Sequence, residues 1–143
     1  MKTNEAGLAL IRQFEGCRLK AYQCPAGVWT IGYGWTHGVK PSDHWTQSHA
    51  EEMLIKGLDQ YENAVQSAIG MNKTTANQFS AFVSICYNIG VGNFVKSSML
   101  RHHKAGAYAK AADSFLLWNK ASGKVLHGLI KRRQAERDLY MED

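Results

Sequence analysis

Three residues near the start of the chain are equipped for chemistry. They are Glu15, Cys24 and Thr30, within FEGCRLKAYQCPAGVWTIGYG, residues 14–34. A carboxyl that keeps its proton can donate it to a departing oxygen. A base or nucleophile on the opposite side then activates water or attacks directly, and the pair can hydrolyse a glycosidic bond. Glu15 suits the acid role: it ends an apolar helical pattern, beside Phe14 and facing a glycine-rich hairpin. Partial burial there would keep a carboxyl protonated.

Each residue also has a plain reading. A glutamate beside a helix-ending glycine is often only a solvated acid. Cys24 alone reads as a small inert residue and Thr30 as a strand former. Of the histidines, His37, His44 and His49, and His102 with His103, lack the spacing of a metal site with cysteine or carboxylate partners. No metal and no cofactor is expected. The three cysteines, Cys17, Cys24 and Cys86, are an odd number and not a disulfide framework. Cys86 sits in an apolar run as a core residue. Spacing leaves open whether Cys17 and Cys24 pair; if they did, oxidation would remove the Cys24 thiol and slow any chemistry that depends on it.

The elements that must position these residues follow from periodicity. Asn4 caps a helix over Asn4–Phe14, with Leu8, Ile11 and Glu15 on one face, and Gly16 stops it. Alternation predicts a hairpin turning at Pro25-Ala26-Gly27. Gly32 and Gly34 flank Tyr33, a pattern that suits close approach of a ligand or another backbone. A polar loop spans Trp35 to Trp45. From there a helix capped by Thr46 or Ser48, the latter with Glu51 as a capping box, runs about 30 Å to Gly70. Thr75 opens an apolar helix ended by Asn88-Ile-Gly-Val-Gly. Ser97 or Ser98 opens a short one ending at Gly106, and Tyr108–Trp118 forms another. A basic amphipathic helix covers Leu129–Tyr140.

The 143 residues therefore predict a single α+β domain. A small N-terminal lobe with a β-hairpin (15–50) joins through a long helix (47–69) to a helical C-terminal lobe (74–143, with the N-terminal helix). A cleft is expected between the lobes. A formal net charge of +5 predicts attraction to polyanions. No nucleic-acid motif accompanies it, so nucleic-acid binding is not expected. The apolar stretch Ala6–Ile11 is too short for a signal segment, and no run reaches membrane-span length. Neither an address nor stable membrane insertion is expected. Disruption of membranes by the last helix is disfavoured by its acids Glu136, Asp138, Glu142 and Asp143.

FEG-x3-KAY…GVWTIGYG resembles the bacteriophage lysozymes, or endolysins, of glycoside hydrolase family 24. The family signature is Glu, eight residues, Asp or Cys, five residues, Thr; Glu15, Cys24 and Thr30 match it. The resemblance continues through Phe79–Gly106 and Ala111–Tyr140. It implies a lysozyme-like fold and a muramidase, which cuts the β-1,4 bond between N-acetylmuramic acid and N-acetylglucosamine in peptidoglycan. Carried over, Glu15 is the general acid, Cys24 stands where many members have aspartate, and Thr30 helps hold the attacking water. The resemblance also implies a basic residue of the last helix near the acid, here Arg133. With Gly32 and Tyr33, it makes up the expected substrate-binding set. Action on glycan strands is implied, with a holin letting the protein through to the wall without binding it; a monomer is the default, and the lack of a signal segment places its synthesis in the host cytoplasm. Water attack with inversion is preferred over a thioglycoside intermediate, because sulfur departs poorly. A non-catalytic relative and a lytic transglycosylase stay as alternatives. GYGWT departs from the frequent GYGHT: Trp35 stands where histidine is common, and His37 is the candidate replacement.

Overall fold

The structure is a computed structural model that describes residues 1–142; Asp143, counted above among the last helix's acids, lies outside them. The described chain forms two compact units. One is Ile11–Asp59. The other is Met1–Leu10 together with the chain from Gln60 onward. The boundaries fall inside two helices, α1 (Glu5–Glu15) and α2 (Gln47–Ile69).

The smaller unit holds the hairpin. The Asn4 side chain accepts from the Gly7 amide at 3.0 Å, as the predicted cap should. Gly16, at φ 69°, ends α1 in a conformation that suits glycine. β1 (Arg18–Gln23) and β2 (Trp29–Gly32) pair antiparallel, with Tyr22 opposite Thr30 and Gln23 opposite Trp29. The register shifts between Arg18 and Tyr22. There the other edge of β1 takes a new partner: Ala21 donates to the Asp43 carbonyl at 3.0 Å, and Trp45 donates to the Leu19 carbonyl at 2.8 Å. The polar loop is thereby tied to the hairpin.

α2 has 23 residues, about 34 Å of helix. Its cap is Thr46, whose hydroxyl accepts from the His49 amide at 3.1 Å. Ser48 lies inside the helix, so the expected Ser48–Glu51 box does not form; Glu51 is engaged elsewhere.

The larger unit is built around α3 (Ala76–Ile89), buried continuously from Phe79 to Cys86. Thr75 and Gln78 make a reciprocal capping box. Around α3 stand α5 (Ser98–Lys104), α6 (Tyr108–Phe115) and α7 (His127–Met141). Phe82 is the hub of an aromatic cluster with Phe94, Phe115, His103 and Tyr140. Two elements escaped the periodicity. α4 (Val91–Val95) is a single turn after Gly90, too short to show a pattern. β3 (Lys120–Ala121) and β4 (Lys124–Val125) form a two-residue ribbon around Ser122-Gly123. The last helix also differs from its expected character. Its buried face carries Arg132, Arg133 and Glu136 beside Leu139 and Tyr140, so much of its charge is inside the unit.

Candidate active site

Glu15, Cys24 and Thr30 all belong to the smaller unit. Glu15 is half-buried as the last residue of α1, three residues ahead of Arg18, where β1 begins. Cys24 opens the turn: its amide donates to the Val28 carbonyl at 2.9 Å, and Gly27 donates back to the Cys24 carbonyl at 2.8 Å. Thr30 is buried in β2. Its hydroxyl donates to the Val28 carbonyl at 2.9 Å.

That turn answers how a thiol could act as a base. Hydrogen bonding from the Val28 backbone holds the Cys24 pKa below its ordinary value; burial opposes it, and bonds from Ala26, Thr30 and Cys24's own backbone reinforce it. A compact turn thus favours the thiolate through backbone hydrogen bonds. Cys17 behaves oppositely: burial pushes its thiol up. The two cysteines are unpaired. All six residues of β1 lie between them, which separates them by about 20 Å at strand rise. A disulfide needs Cα atoms within about 7 Å. The Cys17–Cys24 pairing that spacing left open is therefore excluded while β1 is formed.

Gly32 and Tyr33 turn out to be internal. Gly32, at φ 66°, and Gly34, at φ 89°, flank Tyr33 in a tight reversal, closed by reciprocal backbone bonds of 2.9 Å between Ile31 and Trp35. What approaches Gly32 closely is the Trp45 ring: a Cβ on Gly32 would stand 2.7 Å from it. Tyr33 is buried and donates its phenol to Glu51 Oε1 at 2.5 Å. Burial, then the bond to Glu51, raises its pKa to about 12. Trp35 packs edge-on to His37 and tilted against Trp45, and its indole donates to the His37 carbonyl at 2.9 Å. His37 thus supports Trp35 through its backbone carbonyl and an edge-on ring contact.

Arg133 lies in the larger unit with no exposed surface. Its guanidinium is 3.1 Å from Glu136 Oε1 and donates to Asn88. Burial pushes the Glu136 carboxyl up, while Arg133, Arg132 and the Ser84 hydroxyl pull it down. A side chain so enclosed acts through what it holds. Asn88 lines a surface cavity of about 360 Å³ with Asn93, Trp118, Lys120 and Leu126. Amides beside an indole suit a sugar or a short peptide. Among residues that sequence reasoning missed are Arg12, Gln47 and Glu51, discussed below. Their only trace is helical spacing, Arg12 three before Glu15 and Gln47 four before Glu51, which says nothing about partners on other elements.

A family model described as phage lysozyme matches residues 12–136. An endolysin of Acyrthosiphon pisum secondary endosymbiont phage 1 is 44% identical over 144 residues, covering 98% of each chain. An endolysin of Bacillus phage B103 is 39% identical over 99% of this chain, which spans only 54% of that protein. Among solved structures, the muramidase domain of SpmX from Asticaccaulis excentricus superposes with a TM-score of 0.92 at 36% identity, covering 99% of both chains. The fold is that of a glycosidase of the lysozyme class. The chain belongs to the phage lysozyme family.

Proposed function

We propose that this enzyme hydrolyses the β-1,4 bond between N-acetylmuramic acid and N-acetylglucosamine in peptidoglycan, as an endolysin that frees phage from its host. Glu15 protonates the leaving oxygen. Cys24, as thiolate, takes a proton from water that the Thr30 hydroxyl orients, and the water attacks from the opposite face with inversion. The observation that carries this reading is the Cys24–Thr30 pair, with the thiol eased toward thiolate by the turn around it. In the helical unit, the cavity of Asn88, Asn93 and Trp118 contributes wall-polymer contacts, and Arg133 serves by holding Asn88. The net charge of +5 favours docking on an anionic wall. Among the described residues no helix is long and apolar enough to cross a membrane. The enzyme works as a monomer, made in the host cytoplasm, and a holin lets it reach the wall.

The test is mass spectrometry of digested peptidoglycan together with NMR of the first-formed anomer. Free reducing-end muramic acid, first appearing as the α-anomer, is expected. An anhydro sugar would mean a lytic transglycosylase, and a first-formed β-anomer would rule out inversion. Glu15→Gln is expected to abolish clearance of permeabilised cells. Clearance that survived would remove Glu15 from the acid role.

A further inference from the structure

Gln47 and Glu51 stand one turn apart at the start of α2 and share a helix face. Together they hold three side chains from elsewhere in the smaller unit. Arg12 Nε donates to Glu51 Oε2 at 2.9 Å. The Tyr33 phenol donates to Glu51 Oε1 at 2.5 Å. Gln47 Nε2 donates to the Tyr33 oxygen at 3.0 Å and to Glu51 Oε1 at 3.2 Å. The Cys17 thiol faces Gln47 Oε1 at 3.8 Å.

The sequence positions of these groups carry the point. Arg12 and Cys17 bracket Glu15, three residues before it and two after. Arg12 and Glu15, at i and i+3, share a face of α1, so holding Arg12 fixes the rotation of the helix end that aims Glu15. Tyr33 follows Thr30 by three residues, at the apex of the reversal between Ile31 and Trp35.

We infer that Gln47 and Glu51 form a clamp that fixes the Glu15-bearing end of α1 against the hairpin bearing Cys24 and Thr30, making Glu51 and Tyr33 positioning residues for the reaction. This rests on the acid role proposed for Glu15. Stability alone gives the clamp little reason to exist. The Arg12 and Glu51 side chains keep 31% and 35% of their surface exposed, and ion pairs in such settings contribute about 0–1 kcal/mol. Geometry gives it a stronger one, since misplacing a reacting group by about 1 Å lowers a rate by about 100-fold. The cluster is also internally consistent: the bond from Tyr33, and then Arg12, hold the Glu51 carboxyl low against burial, so it stays an acceptor for its donors.

Steady-state hydrolysis of soluble peptidoglycan fragments tests the clamp in the full chain, using Tyr33→Phe, Glu51→Gln and their double variant. Each single variant is expected to lose about 10- to 100-fold in kcat while KM moves by less than about 2-fold. The pH profile should keep its limbs and fall only in height, because the clamp transfers no proton. The double variant should lose no more than the worse single, as members of one unit do. Unchanged kcat in both singles, losses that multiply in the double, or a raised KM at constant kcat would each overturn the inference. If Tyr33→Phe does not fold, Gln47→Leu removes the hydrogen bond to the same phenol and carries the same expectations. Glu15→Gln is run in parallel: activity there would overturn the acid assignment itself, separately from the clamp.

Discussion

Cys24 is the residue whose chemistry departs most from a pair of carboxylates. A thiol in water is mostly protonated at neutral pH, and the turn hydrogen bonds shift that balance toward thiolate. The rate should therefore rise with pH through a limb below the ordinary thiol range, as Cys24 loses its proton. Cys24→Asp should keep activity and move that limb down toward the carboxylate range, about 4. Cys24→Ser should lose the limb and most of the rate. A rate–pH profile of the three proteins decides it; an unmoved limb in Cys24→Asp would assign the titration to another group. The spacing of Glu15, Cys24 and Thr30 was legible because all three lie within one short stretch. That Tyr33 and Gly32 face inward was not, since what meets them comes from residues 45 and 51.

At the level of elements, strand β1 decides the redox question. It holds Cys17 and Cys24 apart, so diamide should produce no Cys17–Cys24 crosslink in the folded enzyme. Peptide mapping under non-reducing conditions checks this, and a crosslinked 17–24 peptide from active enzyme would refute it. The glycines divide in the same way. Gly32 has φ 66° and the Trp45 ring at 2.7 Å from an added Cβ, so Gly32→Ala should destabilise by about 1–3 kcal/mol. Gly57 is mid-helix, and a Cβ there would meet Trp35 at 3.4 Å, an ordinary contact. Gly57→Ala should therefore stabilise by up to about 1 kcal/mol through helix propensity. Denaturant unfolding of both variants reads the contrast. Helices α1, α2, α3 and α7 were visible in apolar period and caps. α4 and the β3–β4 ribbon are too short for any period to register.

For the molecule as a whole, the larger unit contains a buried titratable group that couples pH to stability. His103 Nε2 is 2.8 Å from the Thr74 hydroxyl and Nδ1 is 2.6 Å from the Tyr140 phenol, among the rings of Phe82 and Tyr108. Burial lowers its pKa below 6.5. The unfolded chain thus binds the proton more readily, and the contribution of neutral His103 is complete above pH 6.5 and lost as pH falls through the folded value. The melting temperature should drop from pH 7 to 5.5, and His103→Gln should flatten that slope. An equal slope in the variant would assign the effect to other groups. The alternation of buried charge on α7 was illegible for a related reason. Arg132, Arg133 and Glu136 look like a solvated face until α3 supplies Ser84 and Asn88 as partners.

What could be read from residue order is whatever depends on neighbours along the chain: the helical period, the caps at Asn4 and Thr75, the turn after Cys24, the family signature itself. Those features arise from backbone geometry and contacts a few residues apart. The inward turn of Tyr33, the fit of Trp45 over Gly32, the clamp at Gln47 and Glu51 and the enclosed charges of α7 needed the tertiary structure. Each joins residues from separate elements, and a polar or aromatic side chain shows its role only once the group opposite it is known.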